Sequence, residues 1–422
     1  MMKRVGFGLL FGLCMSMSAW AVLDIEITGA GEHQTPVSVV RFAGEERLVG
    51  QTLSSVIASD LTRTGLFKLI DPAGKSPHEP AEVKYAEWSG VEALVIGSVR
   101  LLDGGRAEVK FRLLDVVRHT ELIGLAVTAK NEQVRAIGHR ISDLVYEKLT
   151  GSAGVFSTRI AYVNREGVNY RLVVADSDGF GEQTLLALNE PIMSPAWSPD
   201  GKQLAYVSFE SGHAVVYAQS LTTQKRVVLA EFPGSNSAPA WSPDGKQIAI
   251  VLTNDGNSQL YLVRPDGSDL HRITFNESID TEPTFSPDGK WLLFTSDRGG
   301  KPQIYRVPVG GGYAERLTFE GSSNFSPRFS PDGKSFVYSQ FTGGVFFIAV
   351  QDFESRQVQI LTPGGWEKKP SFAPNGKLIL FATESQGRGI LATVSSDGRV
   401  KQKMVAQRGD IREPVWGPFL KQ

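Results

Sequence analysis

One cysteine and six histidines are all that the 422 residues contain. Cys14 lies within the first 21 residues, so a chain cleaved after them has neither a disulfide nor a thiolate site. His33, His78, His119, His139, His213 and His271 fall at no metal-ligand spacing. No metal and no cofactor is expected. An excess of charge is missing too. The formal net charge is −1, and without Lys3 and Arg4 there remain 42 basic against 45 acidic residues. That balance argues against nucleic acid or an anionic membrane surface as a partner. Beyond the leader no apolar run approaches the ~18 residues of a membrane span, so direct insertion is not expected. Neither a G-x-S-x-G elbow nor an H-E-x-x-H helix occurs. "DGKS" at 332–335 lacks the earlier glycine of a phosphate loop, and "GGG" at 310–312 precedes no helix.

Residues 1–21 read as a signal peptide. Lys3 and Arg4 form a short positive region, an apolar run follows, and Ala19-Trp20-Ala21 is a small-x-small cleavage site. The run is too short for a membrane anchor, the alternative reading. Leu13 before Cys14 is a poor match to a lipoprotein signal. The mature chain is expected to begin near Val22, in an exported compartment.

What the chain has in quantity is a repeat. "PAWSPDGKQLAYVS" at 195–208 returns as "PAWSPDGKQIAIVL" at 239–252 and "PTFSPDGKWLLFTS" at 283–296. The Pro-Asp/Asn-Gly turns begin at Pro199, Pro243, Pro287, Pro331 and Pro374, in steps of 44, 44, 44 and 43. Pro sets φ for such a turn, Asp or Asn caps its own backbone, and Gly takes the positive φ that closes it. Two further β-rich runs follow each hairpin, giving four antiparallel strands per unit. A lone four-stranded sheet of this length leaves a face bare; stacked units at this period form a propeller.

Trp197, Trp241, Phe285, Phe329, Phe372 and Trp416 hold one position in successive units. They are expected between blades; a stacking row for sugars or bases is the alternative. Six aromatics imply six blades, although only five complete turns exist. "RIAYVN" at 159–164 matches "QLAYVS" in register, so 159–193 supplies three strands of a blade. "EPVWGPF" at 413–419 supplies the fourth and closes the ring, which removes free sheet edges.

Residues 22–152 lack the period and read as a small α/β domain with a mixed sheet. A helical stripe runs through Val49, Leu53, Val56, Ile57 and Leu61 and ends at Gly65. A second runs through Val134, Ile137, Ile141, Leu144, Val145 and Leu149 and stops at Gly151. Strands are expected at 93–99 and 106–115 and through Ile123, Leu125 and Val127. The first mature segment, "VLDIEITGAGEHQ", is either an edge strand of this domain or a detachable strand for a partner. The organisation is therefore a signal peptide at 1–21, an α/β domain at 22–152 and a six-bladed propeller at 153–422.

Asp200, Asp244, Asp288 and Asp332 are turn residues on separate blades and form no acid–base set. What remains for function is surface. Ser194, Ala238, Glu282, Ser326, Lys369 and Glu413 each precede the first proline of an inner strand, and are expected just before those strands around the channel mouth. Met193, Ser237, Thr281, Phe325, Lys368 and Arg412 are their neighbours. Such a ring is a solvated rim or a binding surface, and propellers commonly bind there.

"MSPAWSPDGKQLAYVSFESG", "FTSDRGGKPQIY", the closing "EPVWGPFL" and "EKLTGSAGVFSTRIAYV" at the domain junction resemble the TolB family, periplasmic propeller components of the Tol–Pal envelope system. The resemblance covers almost the whole mature chain. It implies a non-enzymatic adaptor that binds a peptidoglycan-associated lipoprotein through the propeller and offers its mature N-terminus to an inner-membrane-anchored Tol protein. The lipoprotein-binding positions it implies are Ser235, Ala238, Thr281 and Glu282; where the family pattern favours a histidine at the first, this chain has Ser235. The N-terminal signal it implies is Val22, Leu23, Asp24, Ile25, Glu26, Ile27 and Thr28. A monomer is expected. Two other classes have requirements of their own. A propeller-type carbohydrate lyase or hydrolase with a channel active site needs converging His or carboxylate groups. The accessory propeller of a serine peptidase needs a hydrolase domain for which there is neither room nor motif.

Overall fold

The computed structural model describes residues 34–48, 50–254, 256–404 and 408–420, and the backbone of Ile25–Thr28. The signal-peptide reading, Val22, Leu23 and Asp24 of the N-terminal signal, and Val49 of the first helical stripe lie outside the described residues.

Two helices and one mixed sheet build the α/β domain. Helix α1 (Leu53–Arg63) starts at Thr52, whose hydroxyl accepts from the Ser55 N–H, and buries Leu53, Val56, Ile57 and Leu61 as the 3.6-residue period requires. Helix α2 (Val134–Thr150) ends at Gly151, whose φ of 75° lets its N–H reach the Glu147 carbonyl. The sheet runs in the order Phe67–Leu69, Thr35–Val39, Ala93–Leu102, Arg106–Asp115 and Thr120–Lys130. Thr35–Val39 is parallel to both its neighbours; the other pairs are antiparallel. The helices cover one face through Phe111, Ile141 and Val145, and Trp88 and Val83 cover part of the other.

The repeat folds as six four-stranded antiparallel blades. Blade 1 is the composite one. Asp410–Trp416 pairs with Arg159–Glu166, followed by Asn169–Asp176 and Gln183–Leu188, so the chain's last strand is the innermost of its first blade. Each Pro-Asp-Gly turn is built alike. The Ser198 hydroxyl meets Asp200 Oδ1 at 2.6 Å, the Lys202 N–H donates to the same oxygen at 3.0 Å, and Gly201 takes a φ of 68°. Glycine is needed here for space as well as for φ. A Cβ on Gly245 would lie 3.3 Å from Pro199 of the preceding blade, and one on Gly376 would lie 3.4 Å from Pro331. Gly201 meets Pro418 in the same way, which completes the circle one repeat beyond Pro374.

All six repeat aromatics lie between blades. Trp197 joins Val163 and Val174 of blade 1 to Tyr206 of blade 2, and Trp416 joins blade 1 to Leu380 and Leu391 of blade 6. Trp241, Phe285, Phe329 and Phe372 take the intervening clefts.

The N-terminal strand Ile25–Thr28 does not join its own domain, which corrects the edge-strand expectation. It pairs antiparallel with Lys401–Met404, Ile25 opposite Met404 and Thr28 opposite Lys401, as a fifth strand on the outside of blade 6. Without that pairing the outer strand of the propeller would offer an unpaired row of backbone groups; it runs beside α1, to which the Gln402 amide is tied through the Arg63 carbonyl at 2.5 Å.

Candidate functional site at the propeller channel

The six ring residues lie inside the innermost strands, not before them. Ser194 is the third residue of Ile192–Trp197, and the same holds for Ala238 in Asn236–Trp241 and Glu282 in Asp280–Phe285. The reason is a bulge repeated in every blade. Register slips by one residue between Met193 and Ala196, Ser237 and Ala240, Thr281 and Thr284, Phe325 and Arg328, Lys368 and Ser371, and Arg412 and Val415. At each slip the residue before proline takes a positive φ: 51° at Ser194, 49° at Ala238, 56° at Glu282, 52° at Ser326, 56° at Lys369 and 53° at Glu413. None is glycine. Such backbone costs about 1–3 kcal/mol per residue and persists only where its surroundings enforce it.

The structure brings four of the six into one network. Glu282 accepts from the Ser326 N–H at 2.6 Å, the Ser326 hydroxyl at 2.7 Å, the Thr295 hydroxyl at 2.9 Å and the Lys369 ammonium at 2.7 Å. Lys369 reaches Glu413 at 3.6 Å. Burial alone would raise Glu282, but the Lys369 charge, its hydrogen bond and the two Ser326 donors hold the carboxyl down to about 2. Burial would lower Lys369, yet the Glu282 and Glu413 carboxylates keep its ammonium well above the ordinary lysine value. Arg328 on the same wall is pulled down by burial, against the attraction of Glu282 and Glu413. Ser194 and Ala238 bring short side chains to the same positions on blades 2 and 3.

Ser235 is exposed and precedes the blade 3 inner strand, bridged to Thr253 through its N–H at 2.6 Å and its carbonyl at 3.1 Å. Thr281 lies opposite Thr295 beside the bulge. Ser235, Ala238, Thr281 and Glu282 thus come from the mouth ends of blades 3 and 4. Sequence reasoning missed two things here. Arg328 is the one charged residue in a column otherwise filled by Ala196, Ala240, Thr284, Ser371 and Val415, a signal that was there to read. The loops entering the inner strands also carry bare aromatics: Phe275 is 74% exposed, Phe319 65% and Trp366 60%. The Lys368 ammonium sits 4.3 Å from the Trp366 ring centroid.

Among the described residues one group has the makings of a metal set, which the spacing of the histidines did not reveal. Ligand atoms of Asp60, His139 and Asp178 lie within 4.8 Å of one another at the domain junction. Their oxygens are already taken by cations: Arg63 bonds Asp60 at 2.5 Å, and Arg135 bonds Asp178. The cluster is an ion-pair junction between domains. No helix among the described residues is long and apolar enough to cross a membrane.

A small α/β domain followed by a six-bladed propeller, closed by the chain's own last strand and carrying a ring of strained pre-proline residues, defines a propeller protein whose distinctive surface is its channel mouth. The chain belongs to the TolB family of the Tol–Pal system. Profiles of the TolB amino-terminal domain and the TolB β-propeller domain match residues 23–122 and 146–420. "Tol-Pal system protein TolB" of Nitrosomonas europaea is 61% identical over 417 residues, covering 98% of each chain. That of Dechloromonas aromatica is 60% identical over 422 residues and 99% of each chain. The crystal structure of TolB from Acinetobacter baumannii superposes with a TM-score of 0.87 at 36% identity, covering 94% of this chain and 100% of that one.

Proposed function

We propose that this chain is a non-enzymatic periplasmic adaptor of the Tol–Pal system. Its propeller mouth, with Ser235, Ala238, Thr281 and Glu282 at the centre and Ser194, Ser326, Lys369 and Glu413 around them, binds the peptidoglycan-associated outer-membrane lipoprotein. Its mature N-terminus, Val22 to Thr28, engages an inner-membrane-anchored Tol protein, and the two contacts together support envelope integrity and outer-membrane constriction at division. The observation that carries this reading is the mouth itself: a ring of strained backbone beside Phe275, Phe319 and Trp366, each more than half exposed. Its acidic groups are occupied structurally. Glu282 is consumed by four donors and Glu413 faces Lys369, which leaves neither poised as the acid or base that a channel lyase or hydrolase requires. The N-terminal strand on the outer edge of blade 6 supports a docked state of the segment, from which a partner recruits it.

The test is calorimetric titration of the mature chain, and of a version lacking residues 22–33, with the soluble domain of the lipoprotein and with the periplasmic domain of the inner-membrane protein. Both chains are expected to bind the lipoprotein and only the full one the inner-membrane protein. Binding of neither by the full chain overturns the adaptor reading. Unchanged lipoprotein affinity in a chain with Thr281→Arg and Ala238→Arg removes the mouth from it.

A further inference from the structure

The domain junction holds six ionisable side chains gathered from three segments. Helix α1 supplies Asp60 and Arg63, helix α2 supplies Arg135 and His139, and the end of Asn169–Asp176 in blade 1 with the turn after it supplies Asp176 and Asp178. His139 is 2% exposed and its Nδ1 lies 2.7 Å from Asp60 Oδ2. Its Nε2 is buried without a hydrogen-bond partner and points towards Asp176 Oδ2 at 3.8 Å. Arg135 spans the gap between domains, pairing with Asp176 at 3.5 Å and with Asp178, bonding Gln51 and lying 4.0 Å over the Phe180 ring. Two further charges border the cluster. Asp143 on α2 is committed to the Phe156 and Ser157 N–H groups, and Arg159 faces Asp176 from the blade 1 side.

We propose that His139 is a proton-operated latch between the two domains: as an imidazolium it ties α1 and α2 to the Asp176–Asp178 turn of blade 1, and loss of its proton loosens the α/β domain from the propeller. Charge balance is the first argument. With Asp143 and Arg159 counted, four carboxylates face three guanidinium groups, and His139 supplies the fourth cation. Geometry is the second. In the neutral ring that donates Nδ1–H to Asp60, the Nε2 lone pair faces a carboxylate; protonated, the same nitrogen donates towards it. The electrostatics agree. Burial disfavours the charge, but the Asp60 carboxylate, its hydrogen bond and the Asp178 carboxylate outweigh that and the nearby Arg63, so His139 is raised above the ordinary histidine value. A group raised on folding contributes fully below its unfolded pKa of about 6.5 and loses that contribution as pH climbs through the raised value. The latch is therefore tight in acid and slackens towards alkaline pH. It stands independently of the adaptor reading.

Because the chain after residue 21 has no cysteine, two labels can be placed without background. Lys110→Cys in the α/β domain and Lys202→Cys in the propeller, both exposed, carry a donor–acceptor dye pair, and single-molecule energy transfer is recorded from about pH 5.5 to about pH 9. The native chain is expected to give one narrow distribution at the acid end that roughly doubles in width with a midpoint above about 6.5. His139→Gln is expected to give the broad distribution at every pH, and Asp178→Asn to move the midpoint down. A control pair within the propeller, Lys202→Cys with Lys246→Cys, is expected to stay narrow. The proposal is overturned if the native distribution is the same across the range, if His139→Gln keeps the native response, or if the control pair broadens in parallel. The native and control measurements decide the matter even where a variant fails to fold.

Discussion

The Nζ of Lys369 lies 2.7 Å from Oε1 of Glu282, although 87 residues separate the two. They belong to blades 4 and 6 and meet across the inner strand of blade 5, whose Ser326 donates twice to the same carboxylate. One enclosed ion pair therefore staples three blades at the axis. Removing a single partner of such a pair leaves a buried charge uncompensated, at a cost of about 3–5 kcal/mol, whereas removing both together costs much less. Lys369→Met is expected to destabilise the chain at the low end of that range, since Ser326, Thr295 and Arg328 remain for Glu282. Glu282→Gln with Lys369→Met is expected to cost less than the sum of the singles. Urea unfolding of the four chains closes the cycle, and strict additivity would mean that the pair contributes nothing.

The same pair sets an acid limit. The Glu282 carboxyl falls from an ordinary 4.5 to about 2 on folding. A depressed carboxylate contributes stability above its unfolded pKa and loses it as pH falls through its folded one, so the loss runs from about pH 4.5 down to about pH 2. At 1.36 kcal/mol per unit the full contribution is about 3 kcal/mol. Urea midpoints of the native chain are expected to fall steeply over that window. Those of Glu282→Gln with Lys369→Met are expected to fall less, the other carboxylates supplying the remainder. Parallel curves would place the acid sensitivity elsewhere.

Much of this architecture was open to reading because the repeat is short and strict. The period, the turn chemistry and the aromatic column each point to stacked four-stranded units, and "EPVWGPF" falls one full step beyond Pro374. The fate of the ring residues was less open. Nothing in a serine, alanine, glutamate or lysine before proline announces a positive φ, which such residues avoid unless a bulge imposes it. The Glu282–Lys369 contact was hidden for a different reason: chain distance is irrelevant around a ring, and only closure brings blades 4 and 6 to the same axis. His139 shows the limit most clearly. Its partners come from α1 and from a turn of the other domain, so no spacing rule applied to the histidines themselves could find them. The N-terminal strand was legible as a strand but not in its choice of partner, because an exposed sheet edge on either domain satisfies the same backbone groups.

Closure of the ring depends on Trp416. Its indole Nε1 donates to the Thr158 hydroxyl at 2.8 Å, and its backbone N–H donates to the Ser371 hydroxyl at 2.9 Å. The ring lies among Ile160, Tyr162 and Leu380, so one side chain from the last strand fixes blade 1 to blade 6 and both to the domain junction. Trp416→Ala removes that volume and is expected to cost about 3–5 kcal/mol. Trp416→Phe keeps most of the packing but takes one hydrogen bond from the buried Thr158 hydroxyl, which still donates to the Val155 carbonyl, at about 0.5–1.5 kcal/mol. Thr158→Val combined with Trp416→Phe is then expected to cost more than Trp416→Phe alone, because the bond from the Thr158 hydroxyl to the Val155 carbonyl is lost as well. Truncation after residue 409 goes further, for it strips the inner strand from Arg159–Glu166 and bares an edge that templates pairing with other chains. That chain is expected to elute from size-exclusion as oligomers, with a melting temperature below that of Trp416→Ala. A truncated chain that stays monomeric and melts like the native one would show that the last strand is dispensable and that the ring closes by some other contact.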